Sequence, residues 1–546
     1  LTLTPLVVLL AIATAAPTGA QRREPPRAGV KDAMQVHVVN VDVFVTDPDG
    51  RPVLGLVPAD FELLEDGKPV PITNFFAASP AARAGRTSTI TPSGGVGGGV
   101  VPAEQALNLV IFVDGVNLTN VGRALVLGYL ERFVKFGLAP DSRVMVATFD
   151  RSLRERCSLT TDTSAALAAL DAARMESTEG LFLKLAPATD FELEMEYDLQ
   201  KRVLRSLGQL VDSLAGLPGR TVLLYVSDGF PIWGMDGLLE RPDPAVYDFG
   251  PRRAFDLFGL SARPHGLDGW HRVQADRLRD QLGELMKRAN AGRVAFYTVN
   301  SFPERGWVVM GGTGDVASRA RNMCDALDRQ ESLFAMSRAT GGQPLFASTR
   351  LYEAFNGVTT DLSTYYSLGY SPSHWGDGRY HKITVRVHCE DVRVRHRMAY
   401  LDKPEEQRQA DRTSAALLLA GDPSPLGLRA STGTPIRKGA RAFTVPLTVT
   451  IPAARLVLLP EGDVYQGMVS ICIVATDVDG RNSEAHREVF PIRVPAAAID
   501  AMLRQETEFT FQLILRKGPH KVAVTARDEV AQLDATTSFE VTVGTD

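Results

Sequence analysis

Two acidic residues stand where an open α/β sheet presents its chemistry. Asp114 ends the apolar run Leu109-Val110-Ile111-Phe112-Val113, and Asp228 closes Val222-Leu223-Leu224-Tyr225-Val226-Ser227 about 115 residues later. In such a sheet the carboxyl ends of the strands form the ligand crevice, so two carboxylates brought there can share a hard cation, which takes oxygen ligands. The alternative is that both only accept hydrogen bonds from nearby backbone amides at the sheet edge. Other patterns carry less. Gly312-Thr313-Gly314-Asp315-Val316-Ala317 fits a dinucleotide fingerprint, but 307–310 is a poor strand and no βαβ unit follows, so it reads as a loop entering a helix. Asp477-Val478-Asp479-Gly480-Arg481-Asn482 echoes a Ca²⁺ loop with Arg481 and Asn482 at positions that need other residues, and reads as a hairpin turn. His381, His388 and His396 fall on strand-like sequence at unequal spacing without an acidic cluster, and read as partly exposed strand residues. No nucleophile elbow, P-loop or zinc-protease helix occurs.

The elements that must position these residues follow from periodicity. Short apolar runs at 107–113, 144–149, 222–226 and 294–299 alternate with helical patterns at 124–136, 164–173, 191–217, 272–290, 331–339 and 351–361. That alternation predicts a Rossmann-like, mostly parallel sheet with helices on both faces, spanning 106–364. The clearest helix repeats Leu199, Val203, Leu207, Leu210 and Leu214 at spacings of three and four. Ahead of it, a β segment over 35–78 holds a strand at 36–46 and a hairpin of 61–65 with 68–75 around Asp66-Gly67. Residues 79–105, rich in Ala, Ser, Pro and Gly, read as a flexible linker. Behind it, 365–402 returns to β patterning and is expected to pack with the N-terminal segment. A Pro- and Gly-broken linker over 403–430 then leads to strict alternation at 443–451 and 509–515, which predicts a C-terminal β-sandwich over 431–546.

With these residues in place the chain resembles the von Willebrand factor A-type domain family, and more closely its exported bacterial VWFA-related branch. The resemblance runs from about Val36 to Tyr400. It rests on Val41-Asp42-Val43, Asp60-Phe61-Glu62, Glu65-Asp66-Gly67, the Asp114 strand, Ser227-Asp228-Gly229, Ala339-Thr340-Gly341-Gly342 and Tyr365-Tyr366-Ser367-Leu368-Gly369-Tyr370, in that order. The resemblance implies a metal-ion-dependent adhesion site, in which an Asp-x-Ser-x-Ser loop, a Thr and a second Asp hold Mg²⁺ or another divalent cation and an acidic group of a protein partner completes the shell. Asp114 matches the first position, Thr178 the Thr and Asp228 the last. The two Ser positions are Val116 and Leu118, which cannot ligate through their side chains, so Asn117 and Thr119 are the expected substitutes and the cation is expected to bind weakly.

Two insertions, 230–269 and 301–330, leave the sheet beside these carboxylates. Trp233, Tyr247, Phe249, Phe255, Phe258 and Trp270 mark the first as a partner-binding surface. The chain has 546 residues, 45% apolar and 23% charged, with 59 basic against 64 acidic residues and a net charge of −5, which offers no basic field for nucleic acid. The uncharged run 6–16, followed by Thr18 and Ala20, reads as a signal peptide over 1–20 and predicts export, although neither Met nor a basic stretch precedes it. No later apolar run reaches membrane-spanning length. The expected function is non-enzymatic protein binding or adhesion in the cell envelope. The alternatives are a metal-assisted hydrolase using Asp114 and Asp228, or a structural envelope protein without metal.

Overall fold

The computed structural model describes residues 38–79, 106–118, 120–150, 152–176, 190–232, 269–301, 329–346, 351–419, 425–439, 442–477 and 482–544. The signal segment 1–20 and nearly all of the linker 79–105 lie outside the described residues. At the centre is a six-stranded sheet ordered Pro344–Phe346, Val294–Asn300, Arg220–Val226, Leu107–Asp114, Arg143–Phe149, Leu153–Thr160. All neighbours are parallel except the last pair. Leu107–Asp114 is buried throughout because helices cover both faces. Leu109, Ile111 and Val113 enter a core with Asn120–Phe136, Thr163–Met175 and Leu351–Ser363, while Val110 and Phe112 meet Asp190–Leu214, Gly269–Ala291 and the helix at 329–340. A strand whose two sides both face helices needs an unbroken apolar run rather than alternation. The antiparallel strand Leu153–Thr160 gave no such signal, because as a sheet edge it leaves Arg154 and Glu155 exposed.

Residues 38–79 and 365–401 build a second body of two four-stranded antiparallel sheets. One is ordered Arg393–His396, Val39–Thr46, Tyr365–Tyr370, Asn74–Ala78, and the other Ala399–Leu401, Tyr380–Val387, Phe61–Glu65, Lys68–Pro69. Val41, Val43, Leu63, Leu368, Ile383 and Val385 fill the space between them. Asp66 and Gly67 both take positive φ, 49° and 79°, as a two-residue hairpin turn requires. The strand expected at 68–75 divides: Lys68–Pro69 pairs within the hairpin, and Asn74–Ala78 crosses to the other sheet. Pro69 and Pro71 remove the ladder donors that a continuous strand would need. This body docks on the amino ends of the central strands, where the buried Arg220 guanidinium lies 4.9 Å from the Phe44 ring and 4.7 Å from the Tyr365 ring, with Asp42 3.6 Å away. The carboxyl ends, with Asp114, face the opposite side.

The C-terminal residues form two further antiparallel sheets around one core that includes Val445, Leu447, Val449, Ile471, Ile473, Phe511 and Leu513. The expected linker over 403–430 is largely structured instead. It contains the helix Glu405–Ala416, which starts at Pro404 with two acidic residues in its first turn, and the strand Arg429–Thr432. Its buried residues are Gln409, Thr413, Ala415 and Ala416, too few large apolar positions for periodicity to reveal it. Gln409 and Thr413 are fully buried, and Gln409 bonds to Ser470 and to Arg487 Nε at 2.7 Å, fastening the sandwich to the rest of the chain. On its other side the helix touches the Asp190–Leu214 unit at Gly216, where an added Cβ would lie 2.2 Å from the Asp411 carbonyl. The described cysteines Cys157, Cys389 and Cys472 are free thiols, and no described helix is long and apolar enough to cross a membrane. Gly216→Ala is expected to destabilise the full chain by about 1–3 kcal/mol in denaturant unfolding, since backbone cannot yield as a side chain can. An unchanged midpoint would show that the helix is not seated against this turn.

Candidate functional site

Parallel pairing of Leu107–Asp114 with Arg220–Val226, Val113 opposite Val226, carries Asp114 and the Ser227-Asp228-Gly229 turn to the same sheet end. Asp114 is fully buried. Its Oδ1 accepts the backbone N–H groups of Val116 (3.1 Å) and Asn117 (3.2 Å). Its Oδ2 accepts the Tyr225 hydroxyl (2.6 Å), Asn117 Nδ2 (2.7 Å) and the Ser227 hydroxyl (3.2 Å). Burial pushes the Asp114 carboxyl above the usual carboxylate range, against the opposing effect of the hydrogen bonds from Tyr225, Asn117 and Ser227. Burial also drives the Tyr225 hydroxyl well above its ordinary value, and the neighbouring Asp114 charge adds to that, so Tyr225 stays a donor.

The network reaches further through Asn117. Its side-chain amide exchanges two hydrogen bonds with Gln200 on the Asp190–Leu214 helix, at 2.9 and 2.7 Å, and its main-chain carbonyl accepts the Asp228 N–H at 2.8 Å. Asp228 Oδ1 in turn accepts the Ser301 N–H (2.8 Å) and hydroxyl (2.6 Å), which locks the turn to the end of Val294–Asn300. Beside it a buried ion pair joins Arg329 to Glu196, and Arg329 also reaches the Gly229 carbonyl at 3.4 Å. With Val116, Leu199 and Gln200 these groups enclose a cavity of about 10 Å³, close to the space of one water molecule.

Asp114, Asn117 and Asp228 are therefore brought together. Thr119 and Thr178 lie outside the described residues, as do Trp233, Tyr247, Phe249, Phe255 and Phe258 and the glycine-rich pattern at 312–317. Trp270 belongs to the helix Gly269–Ala291, but its side chain is not described. Leu118, aligned with a ligand position, is 1% exposed and part of the apolar core, while Val116 packs partly against the other core. Tyr225, Ser227, Gln200, Ser301, Glu196 and Arg329 were missed. Tyr225 could have been suspected from its hydroxyl in an otherwise aliphatic buried strand, because such a group needs a partner. Of the three strand histidines, only His381 departs from partial exposure. His396 is half-buried and accepts the Val385 N–H at 3.2 Å, His388 is exposed, and His381 is 7% exposed with carboxylates at both ring nitrogens.

No family model and no curated protein matches the chain. Among solved structures it is similar to the conserved hypothetical protein BatB from Bacteroides thetaiotaomicron (11% identity, 47% of this chain and 98% of that one, TM-score 0.25). It is also similar to a von Willebrand factor type A protein from Catenulispora acidiphila (10% identity, 88% and 72%, TM-score 0.25) and to a point mutant of the PilB minor pilin from Streptococcus sanguinis (10% identity, 48% and 62%, TM-score 0.27). The geometry above stands without them.

Gly229 is the pivot of this turn. Its φ is +80°, and an added Cβ would lie 2.1 Å from the Arg329 carbonyl oxygen. Gly229→Ala is expected to cost at least about 1–3 kcal/mol, from left-handed backbone and contact with main chain together. Chemical denaturation checks it, and an unaltered midpoint would mean that the turn relaxes freely.

Proposed function

We propose that the chain is an exported, non-enzymatic protein-binding protein built on a von Willebrand factor A-like domain whose metal-ion-dependent adhesion site is degenerate. The sheet order supports this, because it extends in opposite directions from Leu107–Asp114 and so places Asp114 and Asp228 at the switch point where open α/β sheets receive ligands. The observation that carries the reading is that five protein donors converge on Asp114. In this proposal internal hydrogen bonds hold the crevice in shape, and Mg²⁺ or another divalent cation binds weakly, only as Tyr225 and Ser227 give way. Asn117, Thr119, Thr178 and Asp228 are the remaining proposed ligands. The proposed partner contact is the aromatic set Trp233, Tyr247, Phe249, Phe255, Phe258 and Trp270, on the segment that leaves this sheet end after Ile232. A metal-assisted hydrolase is less well supported, because a cation that activates water needs the oxygens Asp114 already uses.

Titration of Mn²⁺ into the full chain is expected to give weak binding that Asp114→Asn abolishes and Tyr225→Phe strengthens several-fold. Tight binding by the wild type, or binding indifferent to Asp114→Asn, would contradict the reading. The same immobilised chain should capture envelope proteins equally with and without chelator; capture lost on chelation would put a cation in the contact.

A further inference from the structure

A second constellation lies in the body formed by 38–79 and 365–401, sharing no residue with the Asp114 crevice. Glu65 and Asp66 come from the hairpin, His374 and Asp377 from the connection after Tyr365–Tyr370, His381 from Tyr380–Val387, and Asp402 from the chain just past Ala399–Leu401. His374 stands between two carboxylates, with Nδ1 3.1 Å from Asp402 Oδ2 and Nε2 3.3 Å from Glu65 Oε2. Asp402 is fully buried. With the Nδ1 hydrogen on Asp402, the Nε2 lone pair is left to face Glu65.

That lone pair meets another. His374 Nε2 is a buried atom without a hydrogen bond, although Glu65 Oε2 is only 3.3 Å away. The second oxygen of Glu65 accepts the Tyr370 hydroxyl at 2.6 Å and the Tyr400 hydroxyl at 2.7 Å, which fixes the carboxylate and leaves Oε2 for His374. Two ligands of a tetrahedral cation at about 2.0–2.1 Å lie roughly 3.3–3.4 Å apart, which is the separation found here. His381 supplies a third donor, with a ring nitrogen within 4.8 Å of both other ligand atoms. Its Nδ1 lies 2.8 Å from Asp66 Oδ2, so each histidine has a carboxylate behind one nitrogen, the outer-shell arrangement that orients ligating imidazoles.

We propose that Glu65, His374 and His381 bind a divalent cation of the Zn²⁺ class. Two imidazoles and one carboxylate suit Zn²⁺ and disfavour Mg²⁺, which prefers oxygen. The imidazole rings are stacked at 3.9 Å and 16°, so their in-plane lone pairs run nearly parallel and do not converge on one point as they stand. Loading therefore turns His381 away from Asp377, whose carboxylate faces its Nε2 at 3.3 Å, and toward the cation. The cation would join the hairpin at 65 to the segment at 374–381 and act as a staple of this body.

Chelator-treated full chain titrated with Zn²⁺ should take up one equivalent and melt higher. His374→Ala and His381→Ala should each weaken binding at least about tenfold, His388→Ala, at an exposed histidine, should leave it unchanged, and Mg²⁺ should not compete. The wild type loaded with Co²⁺ should show the intense visible bands of four-coordinate cobalt, a readout that depends on no variant folding. A wild type that binds no Zn²⁺ would overturn the proposal. Zn²⁺ binding untouched by both histidine variants would overturn it too.

Discussion

A carboxylate with no access to solvent is costly unless hydrogen bonds replace the water it loses, and Asp114 meets that condition with donors drawn from several elements. The amides of Val116 and Asn117 come from the loop that follows its own strand, and the Tyr225 and Ser227 hydroxyls from the neighbouring strand end. Asn117 passes the constraint to Gln200 on the covering helix and, through its carbonyl, to Asp228. Removing any one donor leaves a buried charge less compensated, so the crevice holds its shape as a unit.

The body of 38–79 and 365–401 clamps the amino ends through Arg220, Phe44 and Tyr365, and Arg395 adds a two-oxygen pair to Asp361 at 2.8 and 2.9 Å. The helix Glu405–Ala416 seats the C-terminal sandwich through buried Gln409 and Thr413. Both joints add directional polar contacts to small apolar clusters, so orientation is specified by geometry that apolar contact alone would leave loose.

Much of the architecture was readable from pattern. Leu109 to Val113 and Val222 to Val226 are unbroken apolar runs because helices cover both sides, and a buried parallel strand has no other way to be written. What escaped was polar. Leu153–Thr160 is an exposed edge, Glu405–Ala416 buries Gln409 and Thr413, and neither produces apolar periodicity. At the site, Asp114 and Asp228 stood out by position, whereas Tyr225, Gln200 and Ser301 act through contacts between residues far apart in the chain. Leu118, where the resemblance expects a ligating Ser and the sequence has none, is part of the core. His374 had no local signal at all, and its partners Glu65 and Asp402 converge on it only after both sheets have formed.

The central claim is that Asp114 is stabilised by its protein donors acting together, with Tyr225 the closest of them. A double-mutant cycle of Asp114→Asn and Tyr225→Phe, followed by denaturant unfolding in chelator, tests it directly. The account predicts non-additivity, with the double variant losing less than the sum of the single losses by about 1–3 kcal/mol. Additivity within about 0.3–0.5 kcal/mol would contradict it, because the two groups would then contribute independently despite their contact.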